Sequence, residues 1–145
     1  MKKFSTLVII ALSIILFSCK EKAQKEQATV EKLSNKIEVI DFHSTHRCMT
    51  CNAIEASTKY TLDTYFSEEL AKNKITLKVV NVDEEANYKT AEKFEATGTA
   101  LFLNVIVDGK ETQIDLTEFA FMNGNDQEVF SNELKVKLQE ELKKI

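Results

Sequence analysis

Arg47-Cys48-Met49-Thr50-Cys51 separates two runs of different periodicity. Before it, Ile37, Val39, Ile40 and Phe42 make a short β-rich run from Ile37 to His43. After it, Ile54, Leu62, Tyr65, Phe66 and Leu70 recur near helical spacing between Asn52 and Leu70. A pair of thiols with two residues between them can close a small ring. At a helix start the first thiol faces unsatisfied N–H groups and the positive end of the helix dipole, which favour thiolate over thiol. Thiolate is the form that attacks disulfides. The same spacing also supplies half of a zinc site, but a strand before and a helix after point to a redox pair.

Working outward, Ile75 to Asp83 reads as a second strand. Tyr88, Ala91 and Phe94 give a short helix stopped at Gly98. Leu101 to Val107 and Thr112 to Leu116 flank Asp108-Gly109, a strong hairpin turn. A last helix carries Phe130, Leu134, Leu138, Leu142 and Ile145 at steps near four. The order β-α-β-α-β-β-α places the chain in the α/β class, and no internal repeat is present.

With that order in place, residues 37–145 resemble the thioredoxin-like superfamily. The resemblance is carried by Cys48-x-x-Cys51 at the start of the first helix, by Val79-Val80-Asn81-Val82-Asp83 and by Ala96-Thr97-Gly98-Thr99. The last two are similar to the second strand and the approach to the third in envelope thioredoxin-like lipoproteins. The resemblance implies a central mixed sheet of about four strands flanked by helices. It also implies thiol-disulfide exchange with no separate cofactor, with Cys48 as the exposed nucleophile and Cys51 as the buried resolving thiol. Asp41 stands near the place of the family's buried proton acceptor, one residue further from the first cysteine than usual; an ordinary strand-end aspartate is the other reading. A base is useful there because burial raises a thiol pKa.

Two departures bear on the substrate-facing loop, assigned to Arg47, Thr99 and Ala100. Arg47 replaces the family's aromatic residue, and the chain has no tryptophan. With His46, Arg47 would place positive charge beside Cys48, or simply form a solvated basic loop. The chain also has no proline, and Thr99-Ala100 stands where Thr-Pro is usual. A cis bond before Ala100 would cost about 2.5 to 4 kcal/mol, so a trans bond and a more open docking edge are expected.

The start of the chain reads differently. Met1-Lys2-Lys3 precedes an apolar run from Leu7 to Phe17 and then Ser18-Cys19, the pattern of an export signal. Leu16-Phe17-Ser18-Cys19 resembles a bacterial lipobox, in which the cysteine becomes the lipidated first residue. Residues 1–18 are therefore read as a lipoprotein signal peptide, 19–36 as a polar tether and 37–145 as the thioredoxin-like domain. About 17 extended tether residues would reach roughly 50 Å. Assigning Cys19 to lipid leaves Cys48 and Cys51 as the remaining cysteines of three. The expected place is the bacterial cell envelope, anchored by lipid on the periplasmic side or the outer membrane. Its expected partners are protein thiols or disulfides and an envelope electron donor or acceptor. The net charge is −4 and falls by two more without Lys2 and Lys3, which argues against nucleic acid. At 145 residues a single-domain monomer is expected.

Two rival readings bring in further residues. His43, His46, Cys48 and Cys51 form His-x-x-His-x-Cys-x-x-Cys, four donors of kinds that suit zinc or copper. Phe119, Phe121 and Met122, read as a loop before Asn123-Gly124, would serve a redox-inactive module as a docking patch, or else pack in the core.

Overall fold

The computed structural model describes residues 34–145. The signal-peptide and lipidation readings, Cys19 included, and all but the end of the tether lie outside them. Among the described residues no helix is long and apolar enough to cross a membrane.

One strand organises the rest. β1 (Lys36–His43) is buried at every position from Ile37 to Phe42. It pairs in parallel with β2 (Ile75–Asn81) on one side and antiparallel with β3 (Ala100–Val107) on the other. β3 continues through Asp108 and Gly109, both at positive φ, into β4 (Lys110–Asp115). The sheet order is β2-β1-β3-β4. With a helical crossover between β1 and β2 and a final helix after β4, this is the thioredoxin-like fold expected from the sequence.

Alternation along β1 separates two cores. Ile37 and Val39, with Leu101, Leu103 and Val105 of β3, belong to the larger core. The rest of it comes from Ile54 and Leu62 of α1 (Met49–Tyr65) and Phe130, Leu134 and Leu138 of α5 (Gln127–Leu142). Ile40 and Phe42 face the other way. There Phe42, Phe94 and Phe102 pack with ring centroids 5.4 to 5.9 Å apart, beneath the short α3 (Tyr88–Lys93). Such aromatic pairs add about 0.5–1.5 kcal/mol beyond their buried area.

Several boundaries differ from the sequence reading. The helix expected over Asn52–Leu70 begins at Met49 and breaks at Phe66, whose φ of −133° ends α1 before α2 (Ser67–Ala71). Phe66 is itself buried in the larger core, so its side chain is satisfied by leaving the helix. The second strand stops at Asn81, where Asp83 turns back to accept the Thr45 N–H. α3 ends at Lys93, well before Gly98, and just past its cap Glu95 takes φ 53° while Ala96 N–H bonds to Ala91 O and Glu95 N–H to Glu92 O. This is a Schellman stop with glutamate in the position glycine usually holds. Asn73 closes α2 in the same way. β4 begins at Lys110 and ends at Asp115, two residues and one residue earlier than read.

The stretch read as a loop around Phe119, Phe121 and Met122 is instead a helix, α4 (Thr117–Asn123). It splits the apolar cluster. Phe119 packs on the larger core and lies 5.0 Å from Phe130, whereas Phe121 and Met122 are exposed. The link from α4 to α5 presses on the first turns of α1. There Asn125 Nδ2 donates to Thr50 Oγ1, and a Cβ on Gly124 would meet Ala120 O at 2.7 Å and Ile54 Cγ1 at 2.8 Å. Glycine is needed here for close approach rather than for its backbone angles. Gly124→Ala is expected to destabilise the protein by about 1–3 kcal/mol. Gly98→Ala, whose Cβ would lie 3.7 Å from Ser44 Oγ, should be tolerated. Thermal unfolding of both variants checks the contrast, and an unchanged Tm for Gly124→Ala would remove the close-approach account.

Candidate functional site

Cys48 is the N-cap of α1, and its Sγ accepts the Cys51 N–H at 3.0 Å. The sulfur therefore sits against the free N–H groups of the first turn, which carries no acidic residue. A thiolate in that place is stabilised by these donors and by the helix dipole. Cys48 and Cys51 are bonded to each other, with Cα atoms 5.0 Å apart. Cys48 is exposed and Cys51 is 7% exposed, so the first cysteine is the accessible one of the pair.

The loop that presents the pair is anchored to the end of β2. Thr45 N–H donates to Asp83 Oδ2 at 2.7 Å, Asn81 Nδ2 donates to Thr45 Oγ1, and Val82 N–H donates to His43 O. The bond from Thr45 N–H is the main reason that the Asp83 carboxyl lies below its ordinary pKa. On the other flank, Gly98 places the Thr97–Thr99 turn beside Ser44. Thr99 and Ala100 are half-buried and line a cleft of about 590 Å³ that runs past Phe94, Gln113 and Asp115; neither cysteine lines it. Among the described residues every peptide bond is trans, the one before Ala100 included.

Behind the pair lies a charge cluster. Asp41 is completely buried on the face of β1 that carries Ile37 and Val39. Neither of its carboxyl oxygens has a hydrogen-bond partner among the described residues. Burial pushes its pKa up to about 7, against the pull of Arg47. The Arg47 side chain turns inward, with one guanidinium nitrogen 3.9 Å from Asp41 Oδ2 and 3.4 Å from Cys51 O. Its other terminal nitrogen is bonded to Glu55 of α1, which also holds Lys59. Burial alone would raise Glu55, but the hydrogen bonds from Lys59 and Arg47 bring it below its ordinary value.

The structure thus gathers Asp41, Arg47, Cys48 and Cys51, and sets Thr99 and Ala100 on the neighbouring turn. It does not gather the four donors of the metal reading. Among the described residues no three His, Cys, Asp or Glu side chains converge as ligands. His43 Nδ1 instead meets Ser44 O at 3.0 Å, and His46 is exposed. Glu55 and Thr45 had no reading from the sequence, and Asp83 had one only as the end of a strand. Glu55–Lys59 has i,i+4 spacing, a visible helix pair. Its bond to Arg47 and the 38-residue span from Thr45 to Asp83 leave no local pattern.

No family model and no curated protein matches the chain. Among solved structures, a thioredoxin of Fasciola hepatica is 22% identical over 61% of this chain and 77% of its own, with a TM-score of 0.41. A malarial protein is 18% identical over 61% of this chain and 96% of its own, with a TM-score of 0.39. The fold described above rests on strand order and direction, independently of these likenesses.

Asp41 makes stability depend on pH. Its pKa is near 7 in the folded chain against an ordinary 3.8, so the folded state binds more protons between those values. Stability therefore falls as pH rises from about 4 to 7, by about 1.4 kcal/mol for each pH unit crossed, and the loss is complete above the folded pKa. Asp41→Asn should be more stable than the parent at pH 8, with the difference shrinking towards pH 4. Chemical denaturation across that range checks this, and a difference that does not vary with pH would mean that Asp41 does not titrate there.

Proposed function

We propose that this chain is a thiol-disulfide exchange protein of the bacterial cell envelope, held to a membrane by lipid on Cys19. The observation that carries the exchange reading is the asymmetry of the pair. An exposed Cys48 caps a helix, bonded to a buried Cys51, and a buried carboxyl of raised pKa lies behind them. A metal-binding or purely adhesive role has no comparable observation behind it.

In the reducing direction, Cys48 thiolate attacks one sulfur of a partner disulfide. The new bond joins Cys48 to the partner, and the partner's other sulfur leaves as a thiolate. Cys51 gives its proton to the Asp41 carboxylate and attacks Cys48 Sγ. That closes the Cys48–Cys51 disulfide and releases the partner's second sulfur. The partner gains two electrons and this chain loses two. Running the steps backwards oxidises a partner dithiol, and the relative stability of the two forms of this chain sets the direction. No group beyond the two cysteines and the carboxyl is needed.

The envelope part of the reading is supported by the lipobox-like Leu16-Phe17-Ser18-Cys19 and the basic, apolar start of the chain. There, the partners would be protein thiols or disulfides and an envelope electron donor or acceptor.

Full chain equilibrated in glutathione buffers should show one reversible two-electron transition, read by alkylation of Cys48 and Cys51 and mass. Cys51→Ser should accumulate a mixed disulfide at Cys48, whereas Cys48→Ser should accumulate none. Absence of a Cys48 mixed disulfide in Cys51→Ser would overturn the exchange reading. Separately, Cys19→Ala should move the chain from the membrane fraction to the soluble fraction, and retention on the membrane would overturn the lipid anchor.

A further inference from the structure

We infer that Arg47 is a positioning residue for the buried half of the pair: clamped by Glu55, its guanidinium bridges the Asp41 carboxyl and the backbone of Cys51, rather than serving the exposed sulfur of Cys48. The inference rests on the exchange reading above and adds a residue to it.

Three observations lead there. First, the side chain turns inward, with about a fifth of it exposed and its Nε buried without a partner among the described residues. Second, its contacts lie on the buried side. One nitrogen stands between Asp41 Oδ2 at 3.9 Å and Cys51 O at 3.4 Å, and the other is bound to Glu55. Third, Asp41 lacks any hydrogen-bond donor among the described residues. A carboxyl isolated in an apolar interior would stay neutral and could not take a proton; an opposite charge within about 4–6 Å lowers a carboxyl pKa by roughly 1–3 units.

The other charges acting on Asp41 come from α1. Glu55 opposes its ionisation and Lys59 favours it. Its register neighbours, Val79 on β2 and Leu101 on β3, carry no charge. Among the described residues Arg47 is thus the nearest cation to the carboxyl, and the bond to Glu55 fixes its other end. Its role is electrostatic and positional. Without it the Asp41 carboxyl would be protonated over more of the neutral range, and Cys51 would lose its acceptor when it must attack Cys48.

Two half-reactions separate this role from an effect on Cys48. Full chain carrying glutathione on Cys48 releases it when Cys51 attacks, and the release rate is followed from pH 5 to 9. In a Cys51→Ser background, attack of Cys48 on glutathione disulfide is followed over the same range. Arg47→Met should slow release about fivefold or more at pH 7 and move its midpoint up by about one pH unit, as expected for loss of one opposite charge near a carboxyl. Attack by Cys48 should change less than about twofold, because the nearest named contacts of Arg47 lie elsewhere. Arg47→Lys should recover part of the loss.

Slower Cys48 attack with unaltered release would overturn the inference, and so would two unaltered half-reactions. Failure of the exchange reading itself is distinguishable. If the parent chain forms no glutathione adduct at Cys48, that reading falls. The Arg47 contact is still read by the carboxyl ¹³C titration of Asp41 in the disulfide form. An upward movement in Arg47→Met keeps the contact, and an unmoved titration overturns it.

Discussion

Burial of β1 on both faces is the constraint on which the rest of the structure depends. A strand covered on two sides must place every side chain in an interior, so each polar residue on it has to be answered from elsewhere in the chain. Its apolar positions recruit α1 and α5 to one face and α3 to the other. Its C-terminal end, after His43, becomes the loop that delivers the cysteines to the start of α1. The position of the cysteine pair thus follows from how this strand is enclosed.

The two carboxylates of β1 are answered in opposite ways. Burial would raise Glu38, but bonds from Lys36, Lys78 and Asn104 bring it down to about 2. It behaves as a structural anion, buried on the face of β1 that carries Ile40 and Phe42. Asp41, three residues on and facing the larger core, has a cation at 3.9 Å and no hydrogen-bond donor among the described residues, and it is raised to about 7. The strand and the chemical group are shared, and the difference lies in the number of donors within reach. A fully bonded carboxylate is locked in one protonation state across the neutral range, whereas an under-bonded one can change state there. The second arrangement is the one that lies behind Cys51.

Much of this could be read from residue patterns, and the exceptions share a cause. The β-α-β-α-β-β-α order, the hairpin at Asp108-Gly109 and the inward face of α5 are written in local periodicity and turn chemistry. The break at Phe66 was hidden because Tyr65, Phe66 and Leu70 keep a helical phase while Phe66 is drawn into the core formed by α5 and the sheet. Glu95 occupies a left-handed stop that residue preference assigns to glycine, since Ala96 N–H can bond back to Ala91 O only from that turn. In α4, Phe119 and Phe121 differ by two residues and so point to different sides of the helix, one packed against Phe130 and the core and the other exposed, a separation that a loop reading hides.

Sequence by itself determined the fold class, the order of the strands and of the helices that cover them and the placing of Cys48 and Cys51 at a helix start, because these depend on interactions between residues a few positions apart. It also marked Asp41 and Arg47 as residues of interest, though without their relation. Only the tertiary structure decided that Asp41 is isolated in the core, that Arg47 turns inward to it and is held by Glu55, and that Asp83 pins Thr45 across the sheet. Those relations are distances between groups brought together by the packing of α1 on β1 and the pairing of β1 with β2. Coulomb and desolvation energies depend on such distances and on the exclusion of water, neither of which is a local property of the chain.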